Sequence, residues 1–204
     1  MEHRGDILSG SSDGAGRPMT ESFYEAFINC RHRVLGRNLK PFSLRHCLYL
    51  EAIGSPYMDA INGKSAEITR RDLEIAVTVC SAEGDISEAL RRIGHIGNLA
   101  MKLHSFKRAS TRFLSYLSDY IALPELWENG SETVNAPWIL SRVVLLMSKT
   151  SLGRNEIWDM PIGEVFWYCA VFGEQEGAVQ IQSDAEQAAI EDVLKAKNYG
   201  KSAG

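Results

Sequence analysis

Apolar residues recur at helical spacing along most of this chain. Phe23, Ala26, Phe27, Cys30 and Val34 follow an i, i+3, i+4 order, and Thr20 stands where an N-cap belongs. This predicts a helix from Thr20 to about Arg33, ended by Gly36. Pro41-Phe-Ser43 opens a second helix, capped by Ser43, with Leu44, Cys47, Leu48 and Ile53 on its apolar side. Gly54-Ser-Pro56 closes it, because a proline pushes the residue before it out of helical geometry. A loop is expected around Asn62-Gly-Lys64.

Thr69-Arg-Arg-Asp72 reads as a capping box with Asp in place of Glu. The helix it starts carries Leu73, Ile75, Ala76, Val77, Val79 and Cys80 and should be deeply buried. Asp85-Ile-Ser-Glu88 is a further cap ahead of Leu90 and Ile93, and Gly94 and Gly97 interrupt or end that helix. The longest periodic segment runs from Leu99 to Ile121, with Leu103, Phe106, Phe113, Leu114 and Leu117 on one side and His104, Arg108 and Arg112 opposite. Leu123-Pro124 stops it. Asn135-Ala-Pro137 starts a helix through Met147, whose run Val143-Val-Leu-Leu-Met147 suggests a central core position. A helical turn then leads into Met160-Pro161, and another helix begins at the proline. A last helix, about Asp184 to Lys197, is capped by Ser183, with acids first and lysines last as the helix dipole prefers. Ala178-Val-Gln-Ile-Gln182 is compatible with an extended segment.

Seven or eight helices with little strand predict an all-α fold, a single compact domain. Residues 1–19, Gly/Ser-rich and polar, read as a disordered tail; 20–177 form the helical body; 178–204 supply a linker, a short helix and a tail. The chain's 204 residues are enough for a sizeable core without metal or disulfide staples. Its net charge of −4 argues against generic nucleic-acid affinity, but the distribution is uneven. Residues 1–112 balance at +3 and residues 113–204 at −7, a dipole that would suit head-to-tail self-association. Cys30, Cys47, Cys80 and Cys169 are scattered among apolar neighbours, which predicts buried, reduced thiols in a cytoplasmic setting. The first residues have no apolar core of a signal peptide, and no apolar run approaches membrane-spanning length.

Candidate chemistry is sparse. Cys30, His32, His46 and Cys47 are possible zinc ligands by type, but residues two apart on a helix diverge by about 200°, so Cys30 and His32 do not converge. No Gly-x-Ser-x-Gly elbow and no cysteine beside a base motif is present, and Gly94-His-Ile-Gly97 lacks the phosphate-loop pattern. No catalytic residue, cofactor or metal is therefore assigned. Two acid-free basic stretches occur, Arg31 to Arg45 and Lys102 to Arg112. Phe106 and Phe113 fall on the apolar side of the second, so Arg108 and Arg112 form a solvated basic surface, a contact for an acidic protein, or a nucleic-acid contact.

The helix after Pro161 is apolar on two sides. Val165, Phe166 and Cys169 fall near Ile162 on a helical wheel, whereas Trp167 and Val171 lie across from it. Either the chain covers both sides itself, or Trp167 and Val171 form an exposed strip for a partner, together with Trp158 and Phe166.

Two regions carry a resemblance. One runs from Val34-Leu-Gly-Arg-Asn-Leu-Lys-Pro-Phe-Ser through Gly54-Ser-Pro56 and on to Ile68-Thr-Arg-Arg-Asp-Leu-Glu-Ile-Ala-Val-Thr-Val-Cys-Ser81; the other is Glu156-Ile-Trp-Asp-Met-Pro-Ile-Gly-Glu-Val-Phe-Trp-Tyr168. Together the chain resembles bacteriophage tail assembly chaperones. That resemblance implies a non-enzymatic protein of the host cytoplasm that binds a helical apolar client, such as a tape-measure protein, during virion assembly. A small helical enzyme and a nucleic-acid-associated protein remain the alternatives.

Overall fold

The computed structural model describes residues 21–28, 31–82, 85–91, 105–128 and 136–201. The predicted tail, the Thr20 cap, Cys30, Gly94, Gly97, the Leu99–His104 start of the long helix and Asn135 lie outside them. Among the described residues the fold is mostly helical, with two short two-stranded sheets.

Helix α1, Glu21–Phe27, is shorter than its periodicity suggests. Strands β1 (Arg33–Val34) and β2 (Arg37–Asn38) stand where its predicted end would be. They join through Leu35 and Gly36, both at positive φ (50° and 78°), the backbone a tight hairpin turn requires. Gly36 therefore reverses the chain rather than capping a helix. The Lys40 N–H then donates to the Cys80 carbonyl, and the Tyr116 hydroxyl donates to the Lys40 carbonyl.

Helix α2, Leu44–Ala52, follows its Ser43 cap, and buries Leu44, His46, Cys47 and Leu50. Leu48 and Ile53, expected on the apolar side, are exposed. Their places are taken by Leu50 and by His46, so the buried side is rotated from the one the apolar residues suggest. Pro56 does more than close α2. It sits at the first turn of α3, Pro56–Ile61, where its missing N–H costs nothing. Helix α4, Arg70–Ser81, has the expected Thr69–Asp72 capping box, and buries Leu73, Ala76, Val77, Val79 and Cys80. Helix α5, Ile86–Arg91, starts where Asp85 Oδ1 accepts the Ser87 N–H at 2.8 Å. Helix α6, Phe106–Tyr120, buries Phe113 and Leu117 together with Tyr116 and Tyr120.

Helices α2, α3, α4 and α6 enclose the main core. Phe42, Leu50, Tyr57, Leu73, Phe113 and Tyr116 have no solvent exposure. Tyr57 meets Phe113 edge-on with ring centres 4.7 Å apart, and its hydroxyl pairs with Ser110 Oγ at 2.9 Å.

Beyond strand β3, Leu126–Glu128, come α7 (Trp138–Lys149), α8 (Arg154–Asp159) and α9 (Ile162–Gln175). Pro161 separates α8 from α9, as its lack of a backbone donor demands. Strand β4, Val179–Ile181, then pairs antiparallel with β3, and α10, Asp184–Lys201, follows a Ser183–Glu186 capping box. The start of α9 is fastened to the main core, because the Ile162 N–H donates to the Phe42 carbonyl at 2.8 Å. Its other side is covered by α1. A methyl at Gly163 would lie 3.0 Å from the Ala26 Cβ and 3.0 Å from the Tyr120 carbonyl, so glycine lets the two helices approach without pushing either neighbour aside.

Candidate functional site

Among the described residues, helix α7 presents the clearest unpartnered surface. Ile139, Val143 and Leu146 turn inward. One helical step round, at spacing i, i+4, i+7, Leu140, Val144 and Met147 are 48%, 56% and 49% exposed. The Val143–Met147 run, expected at the centre of a core, is thus divided between core and surface. The cause is how α7 sits. It rests on α8 and α9, and the Trp138 ring lies 5.8 Å from Phe166. Arg142 covers that same Phe166 ring at 5.3 Å, and Lys149 pairs with Glu176 farther along. Those contacts occupy one flank and leave the other to solvent. Ser141 and Ser148 stand beside the stripe, which itself carries no charge.

The residues proposed from sequence as a partner surface do not share one. Trp158 and Phe166 are half-buried against the main core. Trp167 is 5% exposed and belongs to a small second core with Ala26 and Ala122, capped by Phe23 edge-on at 5.3 Å. The exposed-strip reading is corrected there: α1 covers Trp167. Val171 is 39% exposed, beside the equally exposed Tyr168, whose ring meets Phe27. Arg108 and Arg112 lie on the solvent side of α6, while Phe113 is core, as the phasing implies.

A second feature went unread in the sequence. A cleft of about 600 Å³ opens at the start of α2, lined by Lys40, Ser43, Arg45, His46 and Tyr49, with Asp85 and Ile86 from the start of α5 and Asp159 from the end of α8. No local motif announces it, because its walls come from segments far apart in sequence. At its base, the Ser43 N–H donates to His46 Nδ1 at 3.2 Å, and Ser43 Oγ lies 3.2 Å from the same nitrogen. A nitrogen that accepts from an amide carries no proton, so the neutral ring holds its proton on Nε2. Burial pushes the imidazole pKa down to about 4, helped by the positive charges of Lys40 and Arg45; a Pro41 backbone hydrogen bond and Asp159 oppose this.

A serine against a neutral histidine has the composition of a nucleophile and its base, but here it serves as a helix cap. Ser43 is buried, and its backbone bridges to Pro161. Arg45 Nε donates to Asp159 Oδ1 at 2.6 Å across the cleft mouth.

Of the four possible zinc ligands, Cys30 lies outside the described residues, and the other three have different surroundings. His46 is committed to Ser43, and His32 Nε2 lies 3.1 Å from Asp119 Oδ2 between the Tyr116 and Tyr120 rings. Among the described residues no three metal-ligating side chains converge. Cys47, Cys80 and Cys169 are free and buried, and burial raises all three thiols, to about 12 for Cys47 and Cys80. Among the described residues no helix is long and apolar enough to cross a membrane. No known protein family, characterised protein or solved structure matches this chain.

Proposed function

We propose that this chain works by contact rather than by bond chemistry, as a phage or prophage tail assembly chaperone or adaptor that shields an amphipathic helical client such as a tape-measure protein in the host cytoplasm. The observation that carries the reading is the α7 stripe. Leu140, Val144 and Met147 repeat at the spacing by which one helix packs along another, and they are exposed together. The resemblance of the Val34–Pro56, Ile68–Ser81 and Glu156–Tyr168 stretches to tail assembly chaperones supplies the client class. Binding of this kind draws on apolar burial, about 25 cal/mol per Å² before the costs of association.

The test replaces Leu140, Val144 and Met147 together by serine. Because all three are exposed, the variant should unfold within about 0.5 kcal/mol of the parent per site, as surface changes do. Where a long helical tape-measure protein is encoded beside its gene, co-expression is the test: the parent chain should keep that client soluble and the variant should not. Equal rescue by the variant rules out the stripe. A gene neighbourhood with no such client removes the phage assignment.

A further inference from the structure

A second apolar face lies across α9 from α7. Along α9, Glu164, Tyr168, Val171 and Gln175 follow i, i+4, i+7 and i+11, so they form one line, on the opposite side of the helix from Phe166. Tyr168, Val171 and Gln175 are exposed, and Glu164 is half-buried. On α1, Ala26 faces Gly163 and Phe23 faces Trp167, which fixes the side turned to α9. Phe27, at the edge of that side, meets the Tyr168 ring edge-on with centres 5.8 Å apart. Tyr24 and Ile28 come next round the helix. They are one turn apart, the Ile28 N–H donating to the Tyr24 carbonyl, and both are exposed. Among the described residues, the apolar face therefore continues from Val171 over Tyr168 and Phe27 to Ile28.

Its border is acidic. Neither residues 21–28 nor residues 156–192 include a lysine or arginine. Glu25 is exposed on α1, and Glu164 and Glu174 bracket Tyr168 and Val171 on α9. The cations that do meet α9, Arg142 over Phe166 and Lys149 at Glu176, come from α7, on the other side. Burial raises the Glu164 pKa, and no positive charge offsets that. A carboxylate drawn partly out of water beside aromatic rings is stabilised by a cation, and the rings attract one too. We infer that this face docks a cationic amphipathic helix of a partner protein, whose apolar residues cover Phe27, Tyr168 and Val171 and whose lysine or arginine pairs with Glu164. Glu174 lies about 15 Å farther along the helix, at 1.5 Å per residue, so a second basic residue about ten positions away on the partner meets it. The α7 stripe carries no charge and shares no residue with this face. It suits a different kind of partner, and either proposal stands or falls without the other.

The experiment is amide-resolved NMR of the full chain at pH 7, titrated with a synthetic peptide of about 18 residues that carries leucine at i, i+3, i+4 and i+7 spacing and lysine elsewhere. The amides of residues 24–28 and 164–175 should shift saturably, and the same peptide with glutamate for every lysine should leave them unmoved. Ile28→Ser combined with Val171→Ser, both at exposed positions, should weaken binding by about tenfold. Glu164→Gln should weaken it by about fivefold. Glu67→Gln removes an equal charge from the exposed segment ahead of α4 and should bind as the parent does. If Glu67→Gln weakens binding as much as Glu164→Gln, the peptide responds to net charge alone and the inference fails. It fails too if the double serine variant binds as the parent does. The triple serine variant of the α7 stripe should retain binding; loss there would place the peptide on that stripe instead. Concentration-dependent shifts of the same amides in the chain alone would give the face to a second copy, and contacts from residues 1–19 to Tyr168 would give it to the chain's own N-terminus; either overturns the proposal.

Discussion

Trp167 shows what single residues contribute here. Its indole fills the small core under α1, and its Nε1 is buried with no hydrogen-bond partner among the described residues. The ring gains from burial while the orphaned N–H subtracts from that gain, since a buried unpaired donor costs about 1–3 kcal/mol. Trp167→Ala should therefore cost about 3–5 kcal/mol in urea unfolding, the range for truncating a buried aromatic. Trp167→Phe should cost much less, because it keeps most of the ring and removes the orphan. A parent-like midpoint for Trp167→Ala would mean that α1 does not cover it. Gly163→Ala probes the same joint from the other side. With two neighbours at 3.0 Å, one of them backbone, overpacking should cost about 1–3 kcal/mol. The wheel of α9 shows from sequence that Trp167 lies away from Ile162. It does not show what covers it, because that depends on a segment at the opposite end of the chain.

Among elements, those set by local chemistry were legible and those set by distant pairing were not. Thr69, Ser43 and Ser183 cap helices because a cap needs only residues a turn away, and Pro161 breaks the chain for the same reason. The pairing of β3 with β4 brings together segments on either side of three helices, so only the extended character of Val179–Ile181 could be read. The shortening of α1 and the Leu35–Gly36 hairpin were missed because five apolar residues at helical spacing outweighed one glycine. The cap of α2 makes its own prediction. His46 has a folded pKa of about 4, below the ordinary 6.5, so between those values the unfolded chain binds the extra proton. Stability from this group is complete above pH 6.5 and declines as pH falls towards 4, by up to about 3 kcal/mol. Glu164, which burial raises, acts in the opposite sense. Denaturant midpoints measured from pH 7 to 4.5 should fall for the parent and fall less for His46→Asn. Parallel curves would show that His46 does not titrate in this way.

On the scale of the whole molecule, two cores meet along α9. One end of that helix is tied to the large core through Phe42, and its flank holds the small core beneath α1. The charge asymmetry read from sequence has a structural counterpart: the stretch from Glu156 to Asp192, which has no lysine or arginine, includes all of α9 and β4. Lys149 of α7 and Arg45 of α2 bring cations to it, through Glu176 and Asp159.

The joint between Ala26 and Gly163 also orders events in time. A ribosome releases α1 well before α9. A helix of seven residues does not hold in water without something to lean on. Phe23 and Phe27 must therefore stay bare until the helix that carries Trp167 has been made, so an element synthesised early waits for one synthesised much later before it can close.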